Sequence, residues 1–297
     1  MSGLFSSSSQ GVVGVDGISV QGARLPGKTT GNLFGVMGEY PQELANWTCT
    51  SQPADCSAVL AAGRAQAGQL IQFTTAGTWQ PVAGVGSSNY DWTRTNKALS
   101  SEWDANPYGI LPLLKGTWVA DAGSNTLDWV PANGSITVAS GIPAPGPGFP
   151  IDGVPTCVTM VRGNLYAADL AGRFWKRNGK YTPTQVPVAD GGGKSLIHHV
   201  TGCAADTSGN FYLVDMWGVP GPPIPAGPKS TASTGSVVKL AKNGSATVLA
   251  TGLNFPNGIA LAADGSVYVS IGSTCPATGS PFPYCAQGGQ IIRIPQS

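Results

Sequence analysis

Polar residues that could bind a metal or transfer a proton recur just before a set of similar segments. The segments begin with short apolar runs at Gly17, Gly109, Thr156, Gly202 and Gly258. Six polar residues lie one to four positions before these starts: Asp16, Asn106, Asp152, His198, Asn254 and Asn257.

These residue types indicate a specific chemistry. Carboxylate and amide oxygens are preferred ligands of Ca²⁺ and similar hard divalent cations. A cation held in this way could polarise a lactone or ester carbonyl and lower the pKa of a bound water. His198 could then act as the general base.

A structural interpretation of the same residues stays open. Asp and Asn also cap strands and turns, and a repeated fold places them at equivalent positions without any ligand. The same reasoning applies to Asp121, Asp169 and Asp215, which follow successive apolar runs. Their repetition favours a recurring local hydrogen bond over catalysis. The pair His198 and His199 is similarly compatible with turn formation and packing.

An internal repeat shows which elements must position these residues. Residues 156–167, 202–213 and 258–269 align without gaps, and each copy carries a glycine seven residues after its start and a tyrosine ten after it. A fourth copy, 109–120, keeps the glycine and has Val119 instead of tyrosine. Each copy is typical of a strand, a tight glycine turn and a second strand rich in aromatic and β-branched residues.

A second hairpin follows the first in each repeat. The Asn-Gly pairs at Asn133, Asn178 and Asn243 lie between further strand-like runs, and Asn-Gly favours type I′ turns. The four aligned copies, which start at 109, 156, 202 and 258, are 46 to 56 residues apart. Four strands at this period predict an all-β fold, a β-propeller of four-stranded antiparallel blades.

Five blades can be identified in the chain. The first has predicted strands near 17–20, 33–37, 70–73 and 79–82, with a helix at 58–66. The last ends after its third strand, 290–294, and residues 11–15 could supply the fourth strand. We predict a single propeller domain over residues 1–297, with a disulfide-bearing insert at about 38–68.

Cysteines and sequons indicate an oxidising, extracellular route. Spacing favours bridges between Cys49 and Cys56 and between Cys275 and Cys285, which leaves Cys157 and Cys203 as a third pair. A zinc site is disfavoured because there is no Cys-X2-Cys pair and only two histidines. N-linked glycans are expected at the sequons Asn46, Asn133 and Asn243. We expect a signal peptide to have preceded this chain, which does not contain one.

Composition disfavours several partners. Gly 42 and Pro 24 account for about a fifth of the residues, which fits short strands and many turns. A net charge of +1 without a long basic run argues against nucleic acid. No apolar run reaches the ~20 residues that a membrane helix needs. The segment 191–195, Gly-Gly-Gly-Lys-Ser, lacks the spacing of a phosphate loop.

Four sequence motifs also resemble a known family. Residues 104–111, 119–125, 154–156 and 254–260 are similar to the ScyD/ScyE family of secreted propellers. The resemblance implies a shape like six-bladed SMP-30/gluconolactonase and NHL-repeat propellers. Family members usually carry one more blade ahead of the position that matches Gly11. The glutamate ligand of gluconolactonase-type metal sites has no obvious counterpart in the sequence.

Two functions follow as expectations. The first is a non-catalytic binding or structural scaffold that assembles with other copies or binds an extracellular polysaccharide or protein. The second is a divalent-metal-dependent hydrolase or lactonase with its site at the tunnel mouth. Trp47, Trp92, Trp103 and Trp217 lie in loops, where they could form a platform for a sugar or peptide or pack beneath the loops.

Overall fold

The strands and turns of this protein form two compact units, Met1–Ala144 and Pro145–Ser297. In the computed structural model the described residues are 15–21, 31–45, 56–96, 103–146, 152–179, 182–218, 233–273, 275, 285 and 288–295. Each unit is built from antiparallel sheets whose strands follow one another in chain order or its reverse. The prediction of one domain with an insert at about 38–68 stays a prediction.

The first sheet of unit 1 opens with an exposed strand. Its strands are β1 (Val15–Val20), β2 (Leu33–Met37), β3 (Gln69–Phe73) and β4 (Trp79–Gly84), in that spatial order. Two helices lie between β2 and β3: α1 (Pro41–Ala45) and α2 (Cys56–Gln66). The α2 helix confirms the helix predicted at 58–66.

A third helix, α3 (Val85–Thr93), follows β4, and sequence reasoning did not predict it. Its buried positions are Val85, Gly86, Asn89 and Thr93. Because only one of these has a large apolar side chain, the helix lacks the apolar periodicity by which helices are recognised.

The second sheet of unit 1 packs against the first. Its strands are β5 (Pro107–Leu113), β6 (Gly116–Asp121), β7 (Thr126–Pro131) and β8 (Thr137–Gly141). Apolar side chains from both sheets form one buried cluster, at positions 34, 36, 70, 83, 85, 110, 119 and 130. The start of β1 lies close against β5, since a Cβ built at Gly17 would be 2.3 Å from Tyr108 O.

Unit 2 contains three sheets. The first has β9 (Pro155–Val161), β10 (Asn164–Asp169), β11 (Phe174–Lys176) and β12 (Thr184–Val186). The second has β13 (Val200–Ala205), β14 (Phe211–Asp215), β15 (Gly235–Leu240) and β16 (Ala246–Leu253). The third has β17 (Ile259–Leu261), β18 (Val267–Ile271) and β19 (Gln290–Ile294).

The fold class is all-β, and the five sheets are the blades of a β-propeller, as the repeat predicted. We number the blades 1 to 5 in chain order. Within the described residues blade 5 has three strands, which matches the predicted end of the chain at 290–294. Of the segment 11–15 predicted to supply its fourth strand, Val15 belongs to β1 and pairs with Met37, and residues 11–14 lie outside the described residues.

The turn type predicted for the Asn-Gly hairpins is wrong. A type I′ turn needs positive φ at both central residues, but only Gly134 and Gly244 have it, while Asn133 and Asn243 do not. Gly134 N–H donates to Pro131 O at 2.9 Å, and Gly244 N–H donates to Ala241 O at 2.8 Å. Each glycine thus closes a turn of which only the last residue is left-handed.

Two predicted disulfides are confirmed. Cys157 on β9 bonds Cys203 on β13, and Cys275 bonds Cys285. The predicted Cys49 to Cys56 bridge and the sequon at Asn46 fall outside what the structure describes.

Asn133 and Asn243 are exposed at hairpin turns, where each side-chain oxygen accepts the N–H of the sequon serine. Glycosylation at these sites stays a prediction. None of the helices in the described ranges is long and apolar enough to cross a bilayer.

Candidate functional site

Asp16 and Asn106, two of the sequence candidates, lie together in unit 1. Asp16 is on β1, and Asn106 directly precedes β5. Gly38 separates them: a Cβ atom built there would lie 2.1 Å from Asp16 Oδ2 and 3.0 Å from Asn106 Oδ1. The glycine therefore lets both polar side chains approach the backbone after β2.

Glu39, which sequence reasoning did not single out, joins this pair. Its backbone N–H donates to Asn106 Oδ1 at 3.0 Å. Glu39 has φ of 63°, a left-handed conformation that is uncommon for a residue other than glycine. Such backbone conformations cluster at functional sites, where neighbouring contacts hold them in place. We call Asp16, Glu39 and Asn106 the unit 1 polar cluster.

The electrostatics of this cluster favour a positive ligand. Burial, followed by the nearby Glu39 carboxylate, raises the pKa of the Asp16 carboxyl to about 8. Burial is also the main cause that raises the pKa of Glu39 to about 7, and further carboxylates add to it. Those neighbours are Asp104, Glu43 and Asp121. A cation would offset the mutual repulsion of these groups.

A buried hydrogen-bond network holds Asn106 in position. Asp121, at the end of β6, is fully buried and its Oδ1 accepts N–H bonds from Asn106 at 2.8 Å and Ser124 at 3.0 Å. Asn89 of α3 donates to Asp121 Oδ2 at 2.8 Å and to Asp128 Oδ2 at 2.7 Å. Asn89 of α3 therefore holds Asp121, which in turn holds Asn106 of the polar cluster.

The donor set of the cluster fits a hard cation in type. Asp16 and Glu39 would contribute carboxylate oxygens and Asn106 an amide oxygen, which are ligands of Ca²⁺. In the part of the chain that the structure describes, no three His, Cys, Asp or Glu side chains form a metal-ligating group. A cation here would therefore need water or backbone oxygens as further ligands.

In unit 2, His198 is oriented by a buried carboxylate. His198 Nδ1 lies 3.1 Å from Oδ2 of Asp215, which is fully buried at the end of β14. The same carboxylate accepts the backbone N–H groups of His198 at 3.1 Å and His199 at 2.6 Å. Among the described residues no hydrogen-bond partner of His198 Nε2 is found, and 16% of the side chain is exposed.

His199 points into the interior. It is 1% exposed, its Nδ1 is 3.0 Å from Trp217 O, and its ring stacks on Trp217 with centroids 5.1 Å apart. Trp217 in turn meets Phe255 edge-on at 6.4 Å. Trp217 therefore packs against neighbouring rings, which is one of the two roles that the sequence allowed for the tryptophans.

The other tryptophans differ in exposure. Trp103 is 51% exposed and has the Arg94 guanidinium 5.5 Å from its ring centroid. Trp92 is half-buried, and Trp47 lies outside the described residues.

The remaining sequence candidates have mainly backbone roles in the structure. Asn257 accepts from Thr201 Oγ1 at 3.4 Å through its backbone oxygen, and its N–H donates to Ser270 O at 3.0 Å. The Asn254 side chain lies near the second disulfide, with Nδ2 4.0 Å from Cys275 Sγ. Asp152 is half-buried before β9. A metal-ligating role for these three residues stays a prediction.

The carboxylates that recur at the ends of second strands make local bonds. Asp169, fully buried, pairs with Arg173 Nη2 at 2.7 Å and accepts from Trp175 Nε1 at 2.7 Å. Burial raises its pKa to about 6, although Arg173 opposes the shift. Asp121 and Asp215 accept backbone N–H groups, as described above. The recurring aspartate therefore forms local hydrogen bonds that stabilise each of these three blades.

Comparison with known proteins adds no family. No family model matches the chain. No curated protein matches it either.

Several solved structures are similar in shape. A Bacteroides thetaiotaomicron protein of unknown function has a TM-score of 0.49 at 12% identity, covering 80% of this chain and 53% of that one. Virginiamycin B lyase from Staphylococcus aureus has a TM-score of 0.44 at 13% identity, covering 86% and 77%. A structure described as a gluconolactonase has a TM-score of 0.38 at 17% identity, covering 53% and 52%. The chain thus spans about half the length of two of these proteins, and at this level of similarity their activities are not transferred to it.

Proposed function

We propose that the protein is an extracellular β-propeller that acts as a non-catalytic binding or assembly scaffold. The observation that carries this proposal is the use of the recurring carboxylates. Asp121, Asp169 and Asp215 are all fully buried and each accepts hydrogen bonds within its own unit. Groups used in this way stabilise blades and are not available to a substrate.

Secretion is part of the proposal. Two disulfides join described cysteines, and such bonds persist in oxidising compartments. The sequon asparagines Asn133 and Asn243 are exposed at turns, as attachment of a glycan requires. Membership of the ScyD/ScyE family, which the sequence motifs suggest, agrees with this location.

A second candidate function is a divalent-metal-dependent hydrolase or lactonase. The specific observation in its favour is the unit 1 polar cluster, since Asp16, Glu39 and Asn106 offer the oxygens that Ca²⁺ prefers. When bound, the cation would polarise a carbonyl group.

Turnover measurements decide between the two functions. Purified protein is assayed with a panel of lactones and esters, with added Ca²⁺ and with a chelator. The scaffold proposal expects no turnover above the blank in either condition. Metal-dependent turnover that Glu39→Gln abolishes would overturn it. Asp91→Asn is the matched control, because it removes a carboxylate with an exposed side chain (68%) from the same unit.

Intact mass of the secreted protein tests the location. We expect added glycan mass that disappears when Asn133 and Asn243 are both changed to Gln. An unmodified mass from a glycosylating host would contradict this part of the proposal.

A further inference from the structure

A cleft in unit 2 has the features of a ligand site that the proposed function has not yet used. Its volume is about 500 Å³, which lies within the ~300–1,000 Å³ typical of small-ligand sites. Hairpin turns of blades 3 and 4 surround it. The lining residues lie at positions 161, 162, 164, 166, 176, 186, 187, 209, 211, 240, 241, 242 and 244.

The floor of the cleft is apolar and rigid. Tyr166 and Phe211 contribute rings whose centroids are 4.5 Å apart, and Phe174 packs behind both. Val161 and Leu240 complete the floor. Because Tyr166 stacks on Phe174 at 5.6 Å and 18°, one face of its ring is already covered.

Three cationic side chains surround this floor: Arg162, Lys176 and Lys242. Among the described residues the lining includes no Asp or Glu, so none of these lining residues neutralises the positive charges. Charged residues make up only 10% of the chain, which makes three cations around one opening a notable concentration. The cleft therefore favours a ligand that carries several negative charges.

The backbone at Arg162 is a second and independent observation. Arg162 has φ of 50° and Gly163 has φ of 79°, so both central residues of this tight turn are left-handed. Asn or Gly adopts this conformation more easily, and another residue costs roughly 1 kcal/mol there. The backbone conformation therefore disfavours arginine at this position. Arg162 nevertheless occupies it and lines the cleft.

Gly209 lines the opposite side of the cleft. Its φ is 97°, and a Cβ built on it would lie 3.5 Å from Val161 Cγ1 and 3.9 Å from Lys242 Cδ, which are ordinary contact distances. The backbone conformation therefore accounts for glycine at this position.

We infer that this cleft binds an acidic oligosaccharide, with sugar rings over the apolar floor and carboxylates at Arg162, Lys176 and Lys242. Saccharide rings present C–H faces and carboxylates together, which matches an apolar floor surrounded by cations. Phe211 and Leu240 are 7% and 3% exposed, so a sugar ring would contact mainly Tyr166 and Val161, the less buried residues of the floor. The inference rests on the proposed binding role and names its ligand class.

Titration calorimetry with oligogalacturonate tests the inference at low salt and at physiological salt. We expect binding that weakens with salt, and no binding of a neutral maltooligosaccharide of equal length. Arg162→Asn, Lys176→Gln and Lys242→Gln should each weaken binding by about two- to fivefold, as expected for exposed charge pairs. The triple variant should weaken it at least tenfold.

Two controls separate a binding defect from a folding defect. Lys194→Gln removes an exposed cation of the same unit outside the cleft and should leave binding unchanged. Arg162→Asn should raise the melting temperature by a few degrees, since asparagine is better suited to positive φ. Weaker binding in a more stable protein cannot be attributed to unfolding.

The inference is overturned if oligogalacturonate binds the triple variant as tightly as the wild type, or if it binds neither. It is also overturned if polyglutamate or single-stranded oligothymidylate binds this cleft more tightly than the uronate does. These outcomes leave the non-catalytic role itself intact. That role fails only on the metal-dependent turnover described above, which involves other residues in other assays.

Discussion

Acidification should stabilise this protein between pH 8 and pH 5, because the unit 1 polar cluster takes up protons on folding. The pKa of Asp16 is raised to about 8 from its usual 3.8, and that of Glu39 to about 7 from 4.5. A carboxyl with a raised folded pKa binds more protons in the native state than in the unfolded one. The stabilisation that this proton binding gives at low pH is therefore lost as pH rises through the folded pKa.

The size of the effect follows from the raised values. For Asp16 alone, linkage gives a loss of about 3–4 kcal/mol in the free energy of unfolding from pH 5 to pH 8. Glu39 adds to this, but the two groups interact, so the contributions do not sum fully. A shift of this size corresponds to roughly 10 °C in melting temperature.

The assay is thermal unfolding from pH 5 to pH 8, with a chelator present. Asp16→Asn should flatten most of the slope and raise the melting temperature at pH 8 by several degrees. Asp91→Asn, which removes an exposed carboxyl from α3, should retain the wild-type slope. Addition of Ca²⁺ at pH 8 should stabilise the wild type and leave Asp16→Asn unaffected. A wild-type melting temperature that is flat or rises from pH 5 to pH 8 would refute the reasoning, as would an unchanged slope in Asp16→Asn.

Two further predictions concern unit 2. Replacing Cys157 and Cys203 together by serine should lower the free energy of unfolding by about 4 kcal/mol, because the bridge closes a loop with a sequence separation of 46. Denaturant unfolding of the double variant measures this loss. A loss under ~1 kcal/mol would contradict the prediction. Gly172→Ala should lower the melting temperature more than Gly193→Ala. Both glycines have positive φ, but only the Cβ added at 172 would lie 2.6 Å from the His198 backbone. Equal changes in melting temperature in the two variants would contradict this reasoning.

Much of the fold could be predicted from the sequence because it repeats. A glycine seven residues after each start holds in four places of the chain, and a tyrosine ten residues after it holds in three of them, which together specify the hairpins. The strand bounds at 33–37 and 290–294 were accordingly predicted to the residue. The turn type was not, because Asn-Gly also fits a turn in which only the glycine is left-handed.

The candidate site was predicted only in part, for a related reason. Asp16 and Asn106 occupy positions that recur near repeat starts, so comparison of the copies finds them. Glu39 follows β2 in blade 1 and has no counterpart that the repeat could reveal. Asn89 belongs to a helix whose buried face is mainly polar or small, which leaves no periodic signal. Residues that occur once, on irregular backbone, need coordinates to be recognised.

The bond between Cys157 and Cys203 has a consequence for the protein under mechanical load. It joins the first strands of blades 3 and 4, so a chain pulled from its ends cannot extend through the segment between them. With a sequence separation of 46, the length withheld is about 160 Å at ~3.5 Å per residue. Force would therefore bypass β10, β11 and β12, and blade 3 would keep three of its four strands unloaded until the bond is reduced.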